Sequence, residues 1–80
     1  MPPAELLKLL RRQPFVPFRI HLSDGITYEI KHPDLVLVGL ASATVGFPAA
    51  SDPRLYDRSE IVALRQIVRL EPLEQAAASP

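Results

Sequence analysis

The side chains that could do chemistry are few, and the best-placed pair is His32 with Asp34. Lys31 directly precedes them, so a polar site at a strand end could contact RNA or a small ligand. A structural interpretation is also open, because an aspartate beside Pro33 can accept hydrogen bonds from local backbone N–H groups in a turn. The spacing alone is compatible with both interpretations.

The chain lacks the patterns on which familiar enzyme classes depend. It contains two histidines and no cysteine, which argues against a structural zinc site and excludes disulfides. The sequence has no recognisable Ser-His-Asp spacing, phosphate-binding glycine loop or His-Glu-x-x-His motif. We therefore predict that the protein is not an enzyme and uses no cofactor or metal.

A second polar group, formed by Arg65, Gln66 and Arg69, is the best candidate for contact with nucleic acid. A link between two strands can present arginine and glutamine to phosphates or base edges, and His32 could extend that surface. The nine Lys and Arg residues balance nine Asp and Glu residues, so the chain has no long-range attraction for nucleic acid. RNA binding through these four residues is therefore the alternative function.

The elements that must position these residues begin with a β-hairpin. Residues 18–23 alternate apolar and polar, and residues 26–32 do the same, which is the period of half-buried strands. An Asp-Gly pair lies between them, and glycine tolerates the positive φ of a tight turn. The alternation directs Arg19 and His21 outward, as part of a polar face across the hairpin.

The N-terminal residues predict a short helix. Pro2 and Pro3 suit a first helical turn, and the proline after Gln13 ends the helix near Arg12. The leucines at positions 6, 7 and 10 form an apolar stripe. Because about ten residues make only a marginal isolated helix, we expect this stripe to dock on the β core.

Residues 35–40 form a continuous apolar run, L-V-L-V-G-L. A strand covered on one face alternates, so this run predicts that one face contacts the core and the other contacts the helix or a neighbouring subunit. Residues 35–47 could be one bent strand or a hairpin. A loop over residues 48–57 then precedes two short strands, at residues 59–64 and 67–71.

This order of elements resembles the Sm-like fold, a strongly bent five-stranded barrel of the SH3-like type that carries an N-terminal α-helix. The segment I-V-A-L-R-Q-I-V-R-L-E at residues 61–71 looks like the two strands and 3₁₀ turn that close such barrels. The helix before F-R-I-H-L fits the Sm-like order. Residues 14–25 and 28–33 are also similar to a group of small uncharacterised bacterial proteins. The resemblance covers residues 3–73 and implies a mostly-β fold.

Assembly is the function that we predict first. An 80-residue chain has a small core, and small domains often gain stability by forming oligomers. The last two strands would leave apolar edges exposed unless another subunit pairs with them, or unless the helix or the C-terminal tail covers them within one chain. The predicted interface residues are Val62, Leu64, Val68 and Leu70. The resemblance implies the same behaviour, because Sm-like proteins form rings that bind RNA at a central pore.

We predict one Sm-like domain over residues 1–73 and a flexible tail over residues 74–80. No apolar run approaches the ~20 residues of a membrane span. Charges interrupt the N-terminal leucines before the apolar core of a signal peptide could form. We therefore expect a cytoplasmic homo-oligomer with no membrane partner.

Overall fold

The computed structural model describes residues 1–73, which form one N-terminal helix and six strands. Helix α1 spans Pro3–Leu10, and the strands are β1 (Phe18–Leu22), β2 (Thr27–Ile30), β3 (Val36–Val38), β4 (Ser42–Pro48), β5 (Tyr56–Ala63) and β6 (Ile67–Pro72). A 3₁₀ turn at Pro33–Leu35 connects β2 to β3, and another at Leu64–Gln66 connects β5 to β6. The predicted tail, residues 74–80, lies outside the described residues.

The strands form two antiparallel sheets of three strands each, with the orders β2-β1-β6 and β3-β4-β5. The prediction of a mostly-β fold with an N-terminal helix is confirmed. The prediction of five strands in a barrel is wrong in strand number, and the barrel is not closed. The sixth strand arises because the segment that could be one bent strand forms two, β3 and β4. At Pro33, where proline cannot donate to a strand ladder, the chain breaks, and the two flanking strands join different sheets.

The β1–β2 hairpin is confirmed. Its register pairs Phe18 with Ile30 and His21 with Thr27. Gly25 has a φ of +91°, a conformation that glycine adopts without steric cost. Its N–H donates to the carbonyl of the last β1 residue at 3.0 Å, which closes the turn.

The apolar run at residues 35–47 contains a hairpin rather than one bent strand. Val36 pairs with Val45 across β3 and β4, and the Gly39 N–H donates to the Ser42 carbonyl at 2.7 Å in the turn. Only one face of β3 is covered, because Val36 is buried while Leu37 is 73% exposed. Of the two predicted covers for the other face, α1 is ruled out because it leaves the Leu37 side open, and a neighbouring subunit stays a prediction.

The two sheets and the helix share one hydrophobic core. Phe18 and Ile30 are fully buried in the first sheet, and Val45 is buried in the second. Leu6 and Leu10 of α1 are buried against the same cluster, which confirms that the helix docks on the β core. No polar side chain is buried within residues 1–73, so burial of apolar surface is the main force that holds the sheets together.

Candidate interaction surfaces

The outer side of the β2-β1-β6 sheet carries a cluster of paired charges, which we call the charged face: Arg19, His21, Glu29, Arg69 and Glu71. The strand register places Arg19 between Glu29 and Glu71. Arg19 Nη2 donates to Glu29 Oε2 at 2.7 Å, and Arg19 Nη1 lies 3.4 Å from Glu71 Oε1. The predicted polar face across the hairpin is confirmed.

Glu71 is the shared acceptor of the charged face. Its Oε1 lies 2.9 Å from His21 Nε2 and 3.4 Å from Arg69 Nη2. The hydrogen bond from His21, together with the charges of Arg69 and Arg19, lowers the pKa of Glu71. Arg19 similarly lowers the pKa of Glu29. Both carboxylates are thus engaged by cations of their own sheet, and the charged face neutralises itself.

The outer side of the β3-β4-β5 sheet is different, because the side chains that alternate outward between residues 42 and 46 and at their strand partners are all neutral, although Asp34 also lines the cleft beside Tyr56. We call it the uncharged face, and it consists of Leu37, Ser42, Thr44, Gly46, Ser59, Ile61 and Ala63. Leu37, Thr44 and Ile61 form one row across the three strands. Leu37 and Ile61 are 73% and 75% exposed. Large apolar side chains exposed together on a neutral surface are typical of an interaction site.

Tyr56 lies at one end of the uncharged face, where its ring packs on Gly46. A Cβ atom at position 46 would lie 2.7 Å from Tyr56 Cε2, so the close approach requires glycine. The Tyr56 hydroxyl donates to the Asp34 carbonyl at 2.7 Å, which fixes the ring. The ring separates two clefts, one on the uncharged face and one that contains His32.

The predicted His32–Asp34 pair lies in the second of these clefts, together with Lys31 and Arg54. Arg54 Nη2 lies 3.1 Å from Asp52 Oδ2 and lowers the pKa of that carboxyl group, so this cation is already paired. The cleft lining contains no serine, threonine or cysteine. Among the described residues, the cleft therefore offers polar contacts but no serine, threonine or cysteine that the histidine could activate as a nucleophile.

The four residues predicted to contact nucleic acid do not form one surface. The Gln66 carbonyl accepts a hydrogen bond from the Ser23 N–H at 2.8 Å, and the two side chains are also hydrogen-bonded. Arg65 is the exposed neighbour of Gln66. His32 lies beyond the other end of β2, away from the β1–β2 turn. Arg69 belongs to the charged face, where it contacts an acidic neighbour.

Of the four predicted interface residues, the structure places Val62 and Leu64 in the core of the chain. Leu70 is partly buried against the same core, and Val68 is 61% exposed beside a β-bulge. Sequence reasoning missed Ile61, which points outward from β5. Alternation places Ile61 and Val62 on opposite faces of the strand, but it does not show which of the two faces the core.

A polar cluster links the two sheets. The Tyr28 hydroxyl of β2 donates to Glu60 Oε1 of β5 at 2.5 Å, and Arg58 donates to the other oxygen of Glu60. Arg58 Cζ lies 4.0 Å from the centroid of the Phe47 ring. The hydrogen bond to Glu60, with partial burial, raises the pKa of Tyr28 to about 12. These contacts join β2 to β5 through side chains rather than a backbone ladder.

Comparison with family models, curated proteins and solved structures found no match to this chain. Within residues 1–73, no helix is long and apolar enough to cross a membrane. The same part of the chain contains no group of three histidine, cysteine or acidic side chains that could hold a metal ion. Function is therefore inferred from the two sheet faces and their edges.

Proposed function

We propose that this protein is a non-enzymatic homo-oligomeric module, in which β5 of one copy pairs with β6 of the next. The proposal rests on the position of these strands at the edges of the two sheets. They are also long for edge strands, with eight residues in β5 and six in β6. An unpaired edge presents N–H and C=O groups that readily pair with another strand. The resemblance of residues 61–71 to the closing strands of Sm-like barrels supports the same assembly.

The hydrogen bonds inside each sheet define which backbone groups point outward. The Leu64 N–H donates to the Ala41 carbonyl at 2.9 Å, so alternation directs the backbone groups of residues 59, 61 and 63 away from β4. The N–H of residue 73 donates to the carbonyl of residue 17 at 2.7 Å, so Leu70 and Pro72 are directed away from β1. Pro72 has no N–H to leave unpaired there, as is common at sheet edges.

An antiparallel register with Ser59 opposite Leu70 brings the outward backbone groups of the two strands together. The same register places Glu60 of one copy opposite Arg69 of the next. Opposite charges that face each other across a strand pair contribute to its stability. The backbone and the side chains therefore favour the same alignment.

Two more pairs in this register are complementary. Arg58 lies opposite Glu71, and Ile61 lies opposite Val68. Both of these aliphatic side chains are exposed in the single chain, so pairing would remove apolar surface from water. Because the two edges differ, the contact is heterologous, and successive copies form a ring if the rotation closes.

The variant Ser59→Pro tests the edge contact. The Ser59 N–H points outward, so proline removes a donor from the interface without breaking a ladder bond inside the chain. Ser59→Ala keeps the N–H and is the matched control. At tens of micromolar, light scattering should give an oligomer mass for the wild type and for Ser59→Ala, and a smaller mass for Ser59→Pro. A wild type that is monomeric under these conditions rejects the proposal.

RNA binding by the assembled protein is a second candidate function, and it is favoured by the exposure of Arg65. This residue lies in the 3₁₀ turn Leu64–Gln66, whose hydrogen bonds to Ser23 and Ala41 bring two other turns beside it. Fluorescence anisotropy with A-rich and U-rich RNA at low salt tests this function. Arg65→Ala should weaken binding, and the absence of wild-type binding at low salt rejects it.

A further inference from the structure

We propose that the uncharged face is a second self-association surface, on which the same face of another copy packs about a two-fold axis. The contact packs outward side chains on those of another copy, whereas the edge contact between β5 and β6 joins backbone groups in a strand ladder. Ile61 belongs to both contacts, but Leu37 belongs only to the face contact. This inference therefore does not depend on the proposed edge pairing.

The row formed by Leu37, Thr44 and Ile61 is self-complementary. Thr44 occupies the central strand and has one aliphatic residue on each side. A two-fold axis that runs along β4 between two packed sheets places Thr44 of one copy on Thr44 of the other. The same axis places Leu37 of each copy on Ile61 of the other copy. Each aliphatic side chain of the row thus meets another aliphatic side chain, and hydroxyl meets hydroxyl.

The neutrality of this face favours another copy of itself as the partner. When the seven side chains of this face pack on those of another copy, they bring no like charges together. Asp34 lines the cleft at the Tyr56 end and is not one of these seven. The charged face cannot do the same, because packing it against a copy would strip water from the ion pairs of Arg19 with Glu29 and Glu71. Only one of the two sheets can therefore pack on itself at low cost.

The size of the face sets the expected strength of this dimer. Three strands ~4.8 Å apart, with about five residues each at ~3.3 Å, cover on the order of 250 Å² in each copy. Standard interfaces bury ~800 Å² on each partner. We therefore expect a weak dimer, with a dissociation constant on the order of 100 µM. Edge pairing in the same assembly would strengthen it through multivalency.

The variant Leu37→Glu tests the face directly, because β3 lies at the opposite edge of its sheet from β5. The change puts a carboxylate into the two-fold contact and spares the edge contact. Sedimentation velocity up to about 1 mM should show a dimer dissociation constant at least about tenfold larger than that of the wild type. Leu55→Glu is the matched control, since Leu55 is an exposed leucine outside this face. It should leave the dissociation constant unchanged.

A charge-pair rescue adds a test of the symmetry. Leu37→Lys and Ile61→Glu should each weaken the dimer by about tenfold or more. The double variant places opposite charges together twice across the two-fold axis, so it should return to within about threefold of the wild type. Both side chains are exposed, so circular dichroism should show the wild-type fold in every variant. A double variant no better than the single ones overturns the two-fold arrangement.

The outcomes separate this inference from the edge proposal. A wild type that associates, with Leu37→Glu behaving like Leu55→Glu, overturns the face contact and leaves the edge contact standing. A dimer that is weakened by Leu37→Glu but unaffected by Ser59→Pro supports the face contact and rejects the edge. A wild type that is monomeric at about 1 mM overturns both.

Discussion

The two sheets of this protein have the same number of strands, but their outer surfaces differ in charge and polarity. On the β2-β1-β6 sheet, Arg19 and Glu71 belong to a network in which the sheet supplies the counter-charges, from neighbouring strands and from within β6. On the β3-β4-β5 sheet, Leu37 and Ile61 are largely exposed in the part of the chain that the structure describes. The residues richest in chemistry are thus already satisfied by their own sheet. Interaction with another molecule is expected where the chain leaves apolar groups uncovered.

The largest expected effect contrasts two isoleucines on opposite sides of the sheets. Ile30 is fully buried and Ile61 is 75% exposed. Ile30→Ala should lower the free energy of unfolding by about 2–4 kcal/mol because it leaves a cavity. Ile61→Ala should lower it by less than about 0.5 kcal/mol in the monomer. Urea unfolding at low protein concentration measures both, and equal costs would mean that the uncharged face is already buried in an oligomer.

The next effect concerns the glycine beneath Tyr56. Gly46→Ala should lower the free energy of unfolding by about 1–3 kcal/mol, because the added Cβ overlaps the ring and the ring must move. In a Tyr56→Ala background, the same change should cost much less, since the overlapping atoms are gone. A double-mutant cycle in urea measures the difference. If Gly46→Ala costs the same in both backgrounds, the ring does not rest on this glycine.

A third prediction separates the two faces by pH. The pKa values of Glu29 and Glu71 are lowered in the folded protein. These two carboxylates therefore stabilise the folded protein above the ordinary carboxylate pKa, and this contribution is lost as the pH falls through the lowered values. The urea midpoint should fall between about pH 5 and pH 3, and Glu71→Gln should flatten this slope. Thr44→Val, on the uncharged face, is the control and should retain the wild-type slope.

The smallest effect concerns the side-chain link between the sheets. The pKa of Tyr28 is raised to about 12. The Tyr28 hydroxyl therefore stabilises the folded protein below the ordinary tyrosine pKa, and this contribution is lost as the pH rises through the raised value. An ultraviolet titration should contain one phenol that ionises near this pH. Tyr28→Phe should remove that phenol from the titration. Retention of the late transition in Tyr28→Phe would assign it to a different group.

The parts of the fold that depend on local pattern could be predicted from the sequence. The β1–β2 hairpin follows from strict alternation and one Asp-Gly turn, and docking of α1 follows from a leucine stripe. The outward network of Arg19 and His21 also follows from alternation. In each case, neighbours in the sequence determine which way a side chain points.

The remaining features depend on contacts between distant segments. The sequence predicts a break at Pro33, but it does not show that the strands on either side of that break join different sheets. The interface prediction failed to include Ile61 because a shift of one residue reverses the face of every side chain in a strand. Val62 and Leu64 pack in the core. Only the pairing of β5 with β4 reveals which apolar residues of β5 remain exposed.

The central claim is that this protein assembles with copies of itself through the β3-β4-β5 side of the molecule and its β5 and β6 edges. Native mass spectrometry at tens of micromolar tests this claim most directly. The account predicts masses that are integral multiples of one chain, and a shift toward the single-chain mass in Ser59→Pro. A spectrum of the wild type that contains only the single-chain mass would contradict it.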